Sequence, residues 1–138
     1  MQNAGIILPA RFLCIMAHII ITITIFWSKN ANVVACLPLR YTTTEYDTKD
    51  TELTVGLSIS LGLLVIELIS FFAGVSMFKA GISMLSVICH ASAAITLSLF
   101  VLNSMDCDAF WYVFGFCCAL PTVIEFFAII GYCRSMTR

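Results

Sequence analysis

Apolar and polar residues follow each other along this chain in long blocks. Four blocks are apolar: residues 9–27, 53–78, 82–102 and 110–133. Each is about 19 to 26 residues long, so at 1.5 Å per residue each helix can cross a hydrocarbon core of about 30 Å, the longer ones with some tilt. The second block is the longest. On it Gly56, Ser60, Leu63, Glu67, Ser70 and Gly74 fall three or four positions apart, which makes one small polar helical face amid Leu, Ile, Val and Phe. Such a face suits close packing against another helix, with lipid covering the remaining faces. The pattern predicts an all-α integral membrane protein, a single domain over residues 1–138. It is a four-helix transmembrane bundle with an exoplasmic loop of about 25 residues between helices 1 and 2.

The segments between the blocks refine this layout. Residues 28–52 hold most of the charges and form the main aqueous segment, where Thr42-Thr43-Thr44-Glu45 has the spacing of a helix-initiating capping box. A helical extension or a short surface helix can start there. Lys79-Ala80-Gly81 predicts a tight reversal with Gly81 in the left-handed cap conformation, which makes the second and third spans antiparallel neighbours. Residues 103–109 form a short loop, and Phe110, Trp111 and Tyr112 begin the fourth span with an interfacial aromatic belt. Pro121 lies inside that span and predicts a kink.

Composition supports a membrane protein and narrows its chemistry. The chain is 61% hydrophobic and 11% charged, too few polar residues to coat a soluble domain of this size. No Lys/Arg cluster points to nucleic acid. A cleaved signal peptide is the competing reading of the first block, but Ile25, Phe26 and Trp27 are bulky where a cleavage site is usually small, so an uncleaved span is expected. Arg11, Lys79, Arg134 and Arg138 on one side against Lys29, Arg40 and Lys49 on the other favour cytoplasmic termini. Of seven cysteines, Cys14, Cys89, Cys117, Cys118 and Cys133 lie in or beside apolar runs and read as packing residues. Cys36 and Cys107 fall in the two loops on the exoplasmic side, where they either form a disulfide or remain two free thiols.

Four ionisable groups lie inside the apolar runs: His18, Glu67, His90 and Glu125. A charged group in hydrocarbon is costly, so these side chains should face the bundle interior and pair there. With Ser83 and Ser86 beside His90, and Gly115, Cys118 and Thr122 on one small face with Glu125, the favoured reading is polar glue that sets which helix faces meet. Glu67 and His90 are the expected lock between helices two and three. The alternative is a proton or ion path through the same residues. No paired-Cys or HExxH spacing indicates a metal and no nucleophile motif indicates a reaction, so neither a cofactor nor enzyme activity is expected.

The wording of the segments resembles the transmembrane protein 107 family over nearly the whole chain. The resemblance is carried by Pro9-Ala10-Arg11-Phe12-Leu13, Ala17-His18, Phe26-Trp27-Ser28, Ala35-Cys36-Leu37-Pro38-Leu39 and Glu45-Tyr46-Asp47. It continues through Leu61-Gly62-Leu63, Glu67-Leu68, Gly74-Val75-Ser76-Met77-Phe78, His90, Trp111-Tyr112 and Ala119-Leu120-Pro121 with Glu125. It implies a non-enzymatic four-span component of the transition zone at the base of the cilium. The implied partners are other membrane proteins of the tectonic-like, Meckel-syndrome module, and the implied roles are cilium assembly, ciliary membrane composition and hedgehog signalling.

Overall fold

The computed structural model describes residues 4–74, 76, 79–103 and 105–137. Val75, Met77, Phe78, Ser104 and Arg138, which the sequence assigns to the second span, the third connection and the tail, lie outside the described residues. The elements are α1 (Ala4–Trp27), α2 (Lys29–Ala35), α3 (Thr43–Phe72), α4 (Ala80–Asn103), α5 (Cys107–Val113), a π-helical stretch (Phe114–Ala119) and α6 (Leu120–Met136). α5, the π stretch and α6 run on as one helix, so four helices are long and apolar enough to cross a membrane. Four crossings place both ends of the chain on the same side.

The second span starts earlier and ends sooner than its hydropathy suggests. Thr42 caps α3: its side chain accepts from the Glu45 N–H at 3.3 Å, while the Glu45 carboxylate accepts from the Thr42 N–H at 2.7 Å. From that cap α3 runs 30 residues, about 45 Å, so roughly its first ten residues extend beyond a hydrocarbon core of about 30 Å. Residues 28–52 are therefore helical on either side of a short non-helical connection at 36–42. They comprise α2 and the projecting turns of α3, joined by Lys29 Nζ to Asp50 Oδ2 at 2.9 Å and to Thr54 Oγ1 at 3.0 Å. At its other end α3 stops at Phe72, and Gly74 comes next but one with φ of 76°. The reversal is thus made around Gly74, in the conformation that glycine adopts without steric cost. This corrects two expectations, because Gly81 lies within α4 and Gly74 is not on the packing face of the helix.

The fourth span bears a second correction. Pro121 has no N–H to give to the preceding turn, and the π stretch lies directly before it, widening the helix by one residue in that turn. The wider turn rotates the remainder of the helix. Gly115, expected on a small face with Cys118, Thr122 and Glu125, is exposed, while Phe110, Val113, Cys117, Cys118, Pro121, Glu125 and Ala128 are buried.

The bundle has two unlike ends. At the end that carries α2, Ile25, Val33, Leu53, Leu57, Leu97, Phe100 and Phe110 form an apolar core. Cys36, just past α2, is disulfide-bonded to Cys107 at the start of α5, with Cα atoms 5.4 Å apart. Gly56 lets α3 approach this aromatic layer: a Cβ there would stand 2.7 Å from Phe110 Cε1. At the other end the interior is polar.

Candidate functional site

Every long helix sends a charged or imidazole side chain into the polar interior. The residue at its centre is Arg11 on α1, fully buried at 0% exposure. Because α1 already covers Ala4 to Pro9, Arg11 stands about two turns inside the described helix rather than at its flank. It shares a face with Ile15, His18, Thr22 and Ile25, all buried, at alternating spacings of four and three. The expected flanking cation is therefore an interior one, which removes Arg11 from the charge count that favoured cytoplasmic termini.

The guanidinium is held from several sides. Nη2 donates to Glu125 Oε2 at 3.3 Å and lies 3.7 Å from Glu67 Oε1. Nη1 donates to Ser76 Oγ at 2.9 Å and to Ser83 Oγ at 3.4 Å, and Nε donates to Ser86 Oγ at 3.1 Å. The Phe71 ring covers it, with the ring centre 5.5 Å from the guanidinium carbon, a cation–π distance. An arginine fits this position because its planar fork of N–H groups satisfies several acceptors at fixed angles, which an ammonium cannot do.

The carboxylates complete the cluster. Glu125 Oε1 accepts from Ser70 Oγ at 2.8 Å and from Ser76 Oγ, and Glu67 Oε1 accepts from Ser86 Oγ at 2.8 Å. Glu67 Oε2 lies 3.0 Å from His90 Nε2, close but too poorly aligned to count as a hydrogen bond. His90 Nδ1 in turn lies 2.9 Å from His18 Nδ1. On the far side of that ring, His18 Nε2 is 3.8 Å from Cys118 Sγ. A line of polar side chains, each within 4 Å of the next, therefore runs Cys118–His18–His90–Glu67–Arg11–Glu125 across α1, α3, α4 and the fourth span.

The structure brings His18, Glu67, His90 and Glu125 into one cluster, with Ser70 on Glu125. Gly56 and Ser60 are buried on α3 but nearer its start, Gly56 against Phe110 in the apolar core. Cys36 and Cys107 are at the apolar end, bonded to each other. Among the described residues no three His, Cys, Asp or Glu side chains surround a point that could hold a metal ion.

A sequence profile described as transmembrane protein, that of the transmembrane protein 107 family, matches residues 7–129. The chain belongs to that family. It is 46% identical to transmembrane protein 107 of Xenopus laevis over 137 residues, covering 97% of this chain and 98% of the relative. Against the Homo sapiens relative it is 46% identical over 119 residues, covering 86% of this chain and 85% of the other. The Danio rerio relative is 47% identical over 125 residues, covering 91% and 93%. No solved structure matches the chain.

The matched span from 7 to 129 contains the whole cluster, including the member that sequence reasoning missed. A signal for Arg11 was present: it precedes His18 by seven residues and Thr22 by eleven, so the three lie on one helical face. The signal was masked because a basic residue at the start of an apolar run ordinarily marks an interface. Ser76, in the reversal after α3, was not expected in the interior either, and it is placed there by the early stop of α3.

Proposed function

We propose that the chain is a non-enzymatic membrane scaffold or assembly component of the ciliary transition zone. In this reading it acts with other membrane proteins of the tectonic-like, Meckel-syndrome module and supports cilium assembly, ciliary membrane composition and hedgehog signalling. The resemblance to the transmembrane protein 107 family supplies the ciliary setting. The observation that carries the scaffold reading is that the intramembrane charges are turned inward onto one another. What the protein offers to its surroundings is then the apolar outside of its helices and the projecting end built from α2 and the first turns of α3. The cleft of about 230 Å³ between α3 and α6, lined by Ile66, Val123, Phe126 and Ile129 together with Glu67, Thr122 and Glu125, opens between those helices and suits lateral contact. Tagging the endogenous protein in ciliated cells tests this reading. Signal concentrated at the ciliary base, with Meckel-module proteins recovered alongside, is expected; even distribution over the cell membrane would refute it.

The second reading is a small proton or ion transporter, favoured by the line of polar side chains from Cys118 to Glu125. Flux in liposomes that is lost in Glu67→Gln while the fold persists would favour it over the scaffold.

A further inference from the structure

Counting charges in the cluster leaves one missing. Arg11 contributes one positive charge and faces two carboxylates, Glu125 and Glu67. Each carboxylate is met by donors. Glu125 receives Ser70, Ser76 and Arg11, and Glu67 receives Ser86 on one oxygen while His90 Nε2 lies 3.0 Å from the other. Glu125, with two serine hydroxyls and the guanidinium donating to it, is set up as an acceptor-only anion, and Glu67 stands against a neighbour that can hold a proton in its place, the His90 ring. One guanidinium and two ionised carboxylates leave a net negative charge among fully buried side chains, where an uncompensated charge is strongly disfavoured. The balancing proton sits on Glu67 or on the ring beside it, and an imidazole is ordinarily the stronger base and so the group that takes it up.

The histidine pair is that group. The two Nδ1 atoms, 2.9 Å apart, can share one hydrogen between them. His90 Nε2, 3.0 Å from the Glu67 carboxylate, carries a second. His18 Nε2, 3.8 Å from Cys118 Sγ, offers a third position, because a thiol can either donate or accept. With two of these positions filled both rings are neutral and the cluster carries one negative charge. With all three filled the pair carries one positive charge and the cluster is neutral. The charged side chain against the rings is Glu67 from α3; Arg11 from α1 lies 3.7 Å beyond it, Glu125 from the fourth span stands on Arg11, and Ser86 from α4 donates to Glu67.

We infer that His18 and His90 together form a proton-binding site: the pair holds a third proton and so serves as the counter-ion of Glu67. The bundle then contains two matched buried ion pairs, Arg11 with Glu125 and the imidazole pair with Glu67. This makes the packing of α1 against α4 and of α4 against α3 conditional on one bound proton, and it does so independently of the ciliary reading.

The chain contains two histidines, so protein prepared without a histidine tag and labelled with nitrogen-15 histidine reports four ring nitrogens, all from this pair. Nitrogen NMR in lipid nanodiscs at neutral pH should show three of the four protonated. Two protonated nitrogens, one per ring, would overturn the inference, and no variant is needed for this measurement. Variants give a second arm. His90→Asn should reduce the yield of folded protein severalfold by leaving Glu67 without its counter-ion, and adding Glu67→Gln should restore most of it. If the double variant folds no better than His90→Asn alone, the charge pairing is wrong.

Discussion

The two ends of this bundle are held by different physics. At the end that carries α2, the core is Ile25, Leu53, Leu57, Leu97, Phe100 and Phe110, with Cys36–Cys107 as a covalent tie. At the other end Arg11, Glu67, Glu125, His18 and His90 hold α1, α3, α4 and α6 by ion pairs and hydrogen bonds. Apolar side chains gain little by leaving lipid for another apolar surface, so the first end relies on close fit and on the disulfide. A charged side chain loses much more if its partner is absent, so the second end relies on pairing. The apolar end should therefore tolerate change in proportion to volume, and the polar end in proportion to charge.

The largest effect is expected from Arg11→Met. It leaves Glu67 and Glu125 buried with no guanidinium between them, the kind of broken pair that costs about 3–5 kcal/mol. Thermal unfolding in detergent should show the loss, and Arg11→Met with Glu125→Gln should recover part of it. An unchanged midpoint in the single variant would mean that the guanidinium does not organise the polar end.

Removing the disulfide comes next. Cys36→Ser or Cys107→Ser should lower stability by about 2–4 kcal/mol, and the double variant should be no worse than either single one because the same bond is lost. Reducing agent should shift the native protein to the same midpoint. A midpoint that does not respond to reductant would show that the apolar end is held by packing alone.

Gly56→Ala is a smaller test of fit at that end. The new methyl would meet the buried Phe110 ring at 2.7 Å, an overpacking that typically costs about 1–3 kcal/mol. Phe110→Leu should relieve it, and additive losses in the double variant would place the strain elsewhere. The smallest effect belongs outside both interiors: Lys49→Ala breaks an exposed pair with Glu52 at 2.9 Å and should change stability by no more than about 0.5 kcal/mol. A larger loss would show that this pair contributes to the fold beyond what a solvated ion pair supplies.

The comparison also separates what was readable in the chain from what was not. Four spans follow from block length alone, and the capping box at Thr42 is both written in the sequence and formed in the structure. His18, Glu67, His90 and Glu125 stand out because ionisable groups inside apolar runs are rare and need partners. Arg11 did not stand out, since its meaning depends on how far the helix continues before it. The end of α3 at Phe72 was equally hidden, because the residues beyond it are as apolar as those before it and only the positive φ of Gly74 marks the turn. Gly115 was assigned to the wrong side of the fourth helix because one π turn shifts the register by a residue.

The sequence by itself determined the number of spans, the residues that could not face lipid and the cysteines available on one side. Those are properties of single segments against the bilayer, so composition and period suffice to read them. Only the tertiary structure decided that Arg11 stands between two carboxylates, that His18 meets His90, and that the reversal draws Ser76 inward. Those facts depend on the rotation and depth of each helix relative to the others, and distances of about 3 Å between groups more than fifty residues apart are set by packing, which no local pattern records.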